Sequence, residues 1–421
     1  MYFRKLLFLG VLLISVTGFI EFGFAETSTL LNIDQALQRA LLNNPNLESF
    51  DSRSQVAEGL KEQAGLKPNP NFTTEIEDFL GSGPFNGADS LEITVGLNQL
   101  IERGGKRSLR TQFAQSQMDL IKWDKAVYLT ELRYTVRRVF VNVLISQQFV
   151  ELNRELLQLA QDSLDAVNRL VKSASVTKVE ASRADLALKQ REFELQRAES
   201  SLYKAKSELA VLWGLSAPPD FQATGELTLK TSPPPLERLI PLLEQTPDLA
   251  RFEAKIRTYE SALEIERSQS IQDVSVFAGI RGFNESDDAA FLAGFEIPLP
   301  IHDRNQGNIR AALAQVRQAN AEKEILRRDL MAAMVSGYQN LIQAYEEARI
   351  LKSQLLPHAE TTQIETEIGY QRGLFTLVAV LESRGNLFQI RNQYLEALKR
   401  YQQAQATIER LTLPATVDHE Y

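Results

Sequence analysis

Few side chains in this chain are placed to do chemistry. Gly104-Gly105-Lys106-Arg107-Ser108 opens a helical stretch and invites a phosphate-loop reading, in which backbone N–H groups and a lysine cradle a nucleotide. That motif needs glycine at 100 and serine at 107, where Leu100 and Arg107 stand, so the run reads as a basic strand-to-helix exit. The three histidines, His302, His358 and His419, lie too far apart to form a ligand cluster, and cysteine is absent. The missing cysteine excludes disulfides, thiolate metal sites and thiol nucleophiles. No Ser/His/Asp set and no paired carboxylates emerge, so no catalytic residue, cofactor or metal site is assigned and the chain reads as a non-enzyme. The charges left to explain are Glu92, Arg281 and Glu296 on the polar sides of alternating segments, an acidic run at Glu285, Asp287 and Asp288, and Glu382 near the start of a helix.

Those residues must be carried by a chain of 421 residues with 46 Lys plus Arg against 54 Asp plus Glu. A net charge of -8 without a basic face excludes a general nucleic-acid binder. With 44% apolar and 24% charged residues the composition is globular, not disordered. Arg4 and Lys5 precede an apolar run over 6–20, and Gly23 and Ala25 supply small residues before a cut at Glu26; residues 1–25 read as a secretory signal peptide. Beyond them no apolar run approaches the roughly 20 residues of a membrane helix. If the chain enters a membrane, it does so as strands.

The chain is duplicated. Leu41, Pro45, Leu47 and Phe50 return with the same spacing as Leu243, Pro247, Leu249 and Phe252. Residues 26–230 form a first repeat, 231–413 a second, and 414–421 a tail. In each repeat a helix is followed by two alternating segments and then by a long helical region that breaks once. Strands are expected near 72–79, 90–98, 273–283 and 290–298, because apolar residues recur at every second position: Ile93, Val95 and Leu97; Val274, Val276 and Ala278; Phe291, Ala293 and Phe295. Long helices are expected near 105–172, 177–213, 307–372 and 376–411. Lys106 to Trp213 contains neither Gly nor Pro, and heptads such as Leu188, Leu195, Leu202 and Leu209 point to coiled coil. At the first break, Thr177 and Glu180 fit a capping box; at the second, Gly373 supplies a left-handed stop and Thr376 a new N-cap.

Strands of about nine residues can cross a bilayer when tilted, but four cannot close a barrel, and open edges cannot face lipid. Oligomerisation is then required. Two chains would give eight strands and a filled interior; three would give twelve strands with room for a lumen.

This combination resembles the TolC-type outer membrane efflux proteins. The resemblance rests on the signal peptide, the duplicated plan, the exits Leu100-Ile101-Glu102-Arg103-Gly104-Gly105-Lys106-Arg107 and Pro298-Leu299-Pro300-Ile301-His302-Asp303-Arg304-Asn305-Gln306-Gly307-Asn308, and the turn Gly369-Tyr370-Gln371-Arg372-Gly373-Leu374 with Val378-Ala379-Val380-Leu381-Glu382 after it. The short C-terminus and the Gly-Gly-Lys-Arg exit are most similar to the CzcC branch, which serves heavy-metal cation efflux. The resemblance implies a mainly α fold with a small β part and a homotrimer. Its twelve-stranded barrel would sit in outer-membrane lipid of a Gram-negative-type bacterium and continue into a periplasmic α-helical barrel.

The implied partners are a periplasmic adaptor, or membrane fusion protein, and a proton-driven inner-membrane pump of the resistance-nodulation-division class. The resemblance further implies a periplasmic gate at Ala379 and Glu382, with alanine where relatives carry one acidic ring. Adaptor-docking turns would lie at Ser173, Ala174 and Ser175 and at Arg372, Gly373, Leu374 and Phe375. Glu92, Arg281 and Glu296 would face the lumen. Metal, drug and protein cargo remain open, and a periplasmic adaptor or coiled-coil scaffold without a pore is the reading from another class.

Overall fold

A computed structural model describes residues 29–229 and 232–414. The expected signal peptide lies outside the described residues, as does the tail after Pro414. The first half runs β1 (Thr29–Leu31), α1 (Ile33–Asn43), α2 (Pro45–Ala64), β2 (Asn71–Glu77), β3 (Glu92–Ile101), α3 (Lys106–Lys172), α4 (Lys178–Leu212) and β4 (Phe221–Ala223). The second runs α5 (Leu236–Leu239), α6 (Pro247–Gln269), β5 (Val274–Phe283), β6 (Asp288–Glu296), α7 (Gln306–Ile350), a π turn (Leu351–Leu355), α8 (Leu356–Gln371) and α9 (Leu377–Thr412). Pro45 and Pro247 each occupy the first helical position of α2 and α6, where a missing N–H costs nothing and a fixed φ starts the helix.

The four main strands form one antiparallel sheet in the order β2-β3-β5-β6. The register puts Ile76, Ile93 and Ala289 on one face with Phe72, Leu97, Ala278, Ala293, Val95, Ile280 and Phe291. Glu77, Glu92, Thr94, Arg281 and Glu296 lie on the other. Phe277 lies over Gly96 and Gly279: a Cβ on Gly96 would sit 2.4 Å from that ring, so only glycine lets the aromatic cover the polar-side backbone.

Below the sheet, helices pair into two long hairpins, α3 with α4 and α8 with α9, while α3 also packs on α2, α6 and α9. At about 1.5 Å per residue, the 67 residues of α3 extend about 100 Å. The hydrophobic core sits at mid-length, in two large clusters and a small third one of Ala348, Leu351 and Ala397. One large cluster joins Leu31, Ala36, Val136, Phe140, Leu209, Trp213 and Phe221; the other joins Leu243, Leu330, Met334, Leu398, Tyr401 and Ile408. Burying side chains such as Phe140 and Leu209 contributes about 1.5–3 kcal/mol each. The Trp213 indole N–H donates to the Ala36 carbonyl at 2.9 Å, which satisfies the one polar atom that residue brings into the core.

Several boundaries differ from the sequence expectation, each for a local reason. The expected single helix over 307–372 is interrupted by the π turn Leu351–Leu355. Pro357, at the start of α8, has no N–H to donate and its ring crowds the carbonyl one turn back, so the ladder widens there. The expected capping box at Thr177 is not formed. Its side chain caps nothing, and Glu180 instead accepts from Arg183 at 3.0 Å. A capping box does form at Asn32 and Gln35 of α1. Strand β2 ends at Glu77 because Asp78 turns left-handed, φ 57°, and β3 continues past 98 to Ile101 because β5 pairs with it that far.

Candidate functional site

One face of the sheet is apolar yet uncovered. Phe72 is 69% exposed, Phe291 90% and Phe295 76%, with Ile76, Leu97 and Ile280 also exposed. Soluble monomers rarely leave an apolar face running uncovered across two hairpins in this way. The opposite face holds a charged network. Arg281 donates to Glu92 at 2.6 Å, to Glu77 at 2.8 Å and to the Thr94 hydroxyl at 2.8 Å, bridging β2, β3 and β5. Glu296 shares this face but lies at the far end of β6, opposite Ser275. Thus Glu92 and Arg281 come together and Glu296 does not join them. The edges of β2 and β6 have no strand partner among the described residues.

Where the sheet meets the helices, the Lys106 side chain is 7% exposed and its ammonium pairs with Asp273 at 2.9 Å. Asp273 also accepts the Arg103 backbone N–H at 2.9 Å, which ties the β3 exit to the start of β5. Next to it Arg110 grips Glu102 with both guanidinium nitrogens. That hydrogen bond raises the arginine above its ordinary range, against a smaller opposing effect of burial. In the sequence Lys106 reads as part of a basic strand-to-helix exit; Asp273 lies too far along the chain for spacing to pair the two.

The far ends of the helical hairpins are two turns of one design. At the first, Ala174 adopts φ 56°, Ser175 N–H donates to the Leu170 carbonyl at 2.9 Å and Ala174 N–H to Val171 at 3.0 Å. At the second, Gly373 adopts φ 75°, Leu374 N–H donates to Gly369 at 2.8 Å and Gly373 N–H to Tyr370 at 3.0 Å. Both are Schellman motifs with the left-handed residue just past the helix. Ser173 donates its hydroxyl to Leu170, and Arg372 stands exposed at the end of α8. Leu374 is 73% exposed, whereas Phe375 folds back over the bare backbone of Gly369, where a Cβ would lie 2.3 Å from its ring.

Just beyond, Thr376 caps α9 by accepting from Ala379 N–H at 3.3 Å. Glu382 is exposed and has no ion-pair partner among the described residues, while the neighbouring Ser383 is buried. Charged ties hold α9 in place: Arg384 to Glu367 on α8 at 2.5 Å, and Arg391 to Glu155 on α3 at 3.3 Å. Arg191 of α4 stacks over Phe388 at 5.5 Å. Arg391 with Glu155 and Arg191 with Phe388 cross from one hairpin to the other and are not foreseeable, because sequence spacing says nothing about the register of one hairpin against the other. His302 and His358 stand apart, and among the described residues no group of His, Asp or Glu is arranged to hold a metal ion.

Comparison with known proteins agrees with this architecture. The family model described as outer membrane efflux protein matches residues 36–215 and 241–412. The chain is 32% identical over 386 residues to the cobalt-zinc-cadmium resistance protein CzcC of Cupriavidus metallidurans, covering 92% of this chain and 91% of that one. It is 24% identical to the nickel-cobalt-cadmium resistance protein NccC of Alcaligenes xylosoxydans xylosoxydans, over 77% of this chain and 72% of that one. Its fold superposes on the outer membrane protein VceC of Vibrio cholerae with a TM-score of 0.72 at 17% identity, covering 91% of this chain and 96% of that one.

Proposed function

The chain belongs to the outer membrane efflux protein family, and from that premise we propose that three copies form a passive outer-membrane exit duct for heavy-metal cations. The observation that carries this reading is the sheet: an apolar face open to its surroundings, a charged face behind it and two unpaired edges. Unsatisfied backbone groups in lipid cost several kcal/mol each, so the edges must be paired. Because β2-β3-β5-β6 alternate in direction, β6 of one copy meets β2 of the next in antiparallel sense, and three copies give a closed twelve-stranded ring. Its interior would carry the Glu77, Glu92 and Arg281 network together with Glu75, Asp288 and Glu296. The acid excess on this face favours cations in the lumen.

Exposed apolar residues at heptad spacing on α4, Leu186 at 71% and Phe193 at 65%, offer the matching seam for a helical barrel below. At its end Glu382 would project toward the axis, with Ala379 one turn back, as the periplasmic gate. The turns at Ser173, Ala174 and Ser175 and at Arg372, Gly373, Leu374 and Phe375 would meet a periplasmic adaptor, which links the duct to a proton-driven inner-membrane pump. A heavy-metal cargo follows from the similarity to the metal-resistance proteins CzcC and NccC and not from a ligand site. The test is deletion of the chain from its host. Sensitivity to cobalt, zinc, cadmium or nickel is expected; drug sensitivity with unchanged metal tolerance would assign the duct to another cargo.

A further inference from the structure

Beside the strand-to-helix exit of the first repeat lies a cavity of about 630 Å³. Lys67, Asn69, Gln99, Ile101, Arg107 and Ser108 are among the residues that line it. Its charges are unequally committed. Glu102 in the wall is held by Arg110, and Lys106 is held by Asp273. Lys67 and Arg107 are exposed and have no acidic partner among the described residues, and Arg103 beside them is likewise free of one. Two uncommitted cations, a hydroxyl and an amide therefore converge on one hollow.

The position of that hollow is as informative as its charge. Ile101 is the last residue of β3 on the uncovered apolar face; Leu97, 55% exposed, and its cross-strand partner Phe72 continue the same face away from the helices. Ten residues of strand at about 3.4 Å each, tilted by about 40°, cover about 25 Å, the height of the apolar band of an outer-membrane barrel. The cavity lies at the helix side of that band. It is thus level with lipid headgroups of the periplasmic leaflet, given the barrel reading on which this inference rests.

We infer that this cavity is a binding site for an anionic glycerophospholipid, its phosphate held by Lys67 and Arg107 with help from Ser108, and an acyl chain laid along Ile101, Leu97 and Phe72. A phosphate alone would use the cations and leave the apolar wall bare; a neutral lipid would use the wall and leave the cations unanswered. Only a ligand with both parts fits both observations, and polybasic sites at membrane surfaces attract anionic lipids in this manner.

The experiment purifies the full chain from an equimolar mixture of phosphatidylglycerol and phosphatidylethanolamine and weighs the intact assembly with its retained lipids. Wild-type trimers should retain phosphatidylglycerol in preference, and the double variant Lys67→Gln with Arg107→Gln should lose about tenfold or more of it, at unchanged trimer mass. Lys178→Gln, at the opposite end of the helical hairpin, should retain the wild-type amount. Equal retention of the two lipids by wild type, or undiminished phosphatidylglycerol on the double variant, would overturn the site. So would displacement of the lipid by millimolar glycerol 3-phosphate, which would reduce it to a phosphate site. A wild-type trimer without anionic lipid removes this site and leaves the barrel standing, whereas a wild-type monomer removes the barrel and the site with it.

Discussion

Replacing Asp273 by Asn should destabilise the junction between sheet and helices by about 3 kcal/mol. The Lys106 side chain is 7% exposed and, among the described residues, its ion-pair partner is Asp273, itself 22% exposed. Removing one partner of a buried ion pair strands the other charge, at a cost of about 3–5 kcal/mol, and the partial exposure of Asp273 puts this pair at the low end. The amide oxygen of Asn still accepts the Arg103 N–H, so the substitution isolates the charge. Thermal unfolding of the solubilised protein, followed by its helical signal, should show a lowered midpoint for Asp273→Asn. The double variant Lys106→Met with Asp273→Asn should recover most of the loss, because it leaves no buried charge and keeps an acceptor for the Arg103 N–H. A single variant within about 0.5 kcal/mol of wild type, or a double variant no better than the single, would refute the reasoning.

Ala174→Gly should raise stability by about 1 kcal/mol, since an alanine at φ 56° carries the left-handed penalty that glycine lacks; an unchanged unfolding midpoint would contradict this. Gly373→Val places a branched side chain at φ 75° and should lower metal resistance at normal trimer abundance, whereas full resistance from an assembled variant would move adaptor docking elsewhere. Glu382→Gln should reduce cation selectivity and block by polyvalent cations in planar-bilayer recordings, with the buried Ser383→Ala as a control that does little. Indistinguishable recordings from Glu382→Gln and wild type would make Glu382 a solvated surface charge.

What could be read from the sequence divides along physical lines. The period of two in Ile93, Val95 and Leu97 and in Phe291, Ala293 and Phe295 reports a face, because side chains alternate on any strand. That period could tell neither which strand lies beside which nor whether lipid or water touches the face. The pairing of β3 with β5, and so the meeting of Arg281 with Glu92, was not legible. Gly373 announces its turn because glycine favours positive φ, while Ala174 makes the same turn in silence: its residue type argues against the conformation, and only the packed hairpin enforces it. Pro357 is a helix-breaking residue inside the span 307–372 expected as one helix, and the ladder widens just before it. Arg391 with Glu155, and Lys106 with Asp273, depend on how separate elements come to rest, which no local spacing encodes.

The closing of the sheet between copies can be measured directly. The chain has no cysteine, so engineered pairs report without background. Single cysteines at Phe72, Thr74 or Ile76 on β2 combined with single cysteines at Ala289, Phe291 or Ala293 on β6 sample the registers in which one copy can meet the next on the apolar face. Mild oxidation in outer-membrane fractions should convert at least one such double variant into a covalent species of three chains and no more. Absence of any cross-link in all combinations, a product that stops at two chains, or a ladder extending beyond three would contradict a closed trimeric barrel.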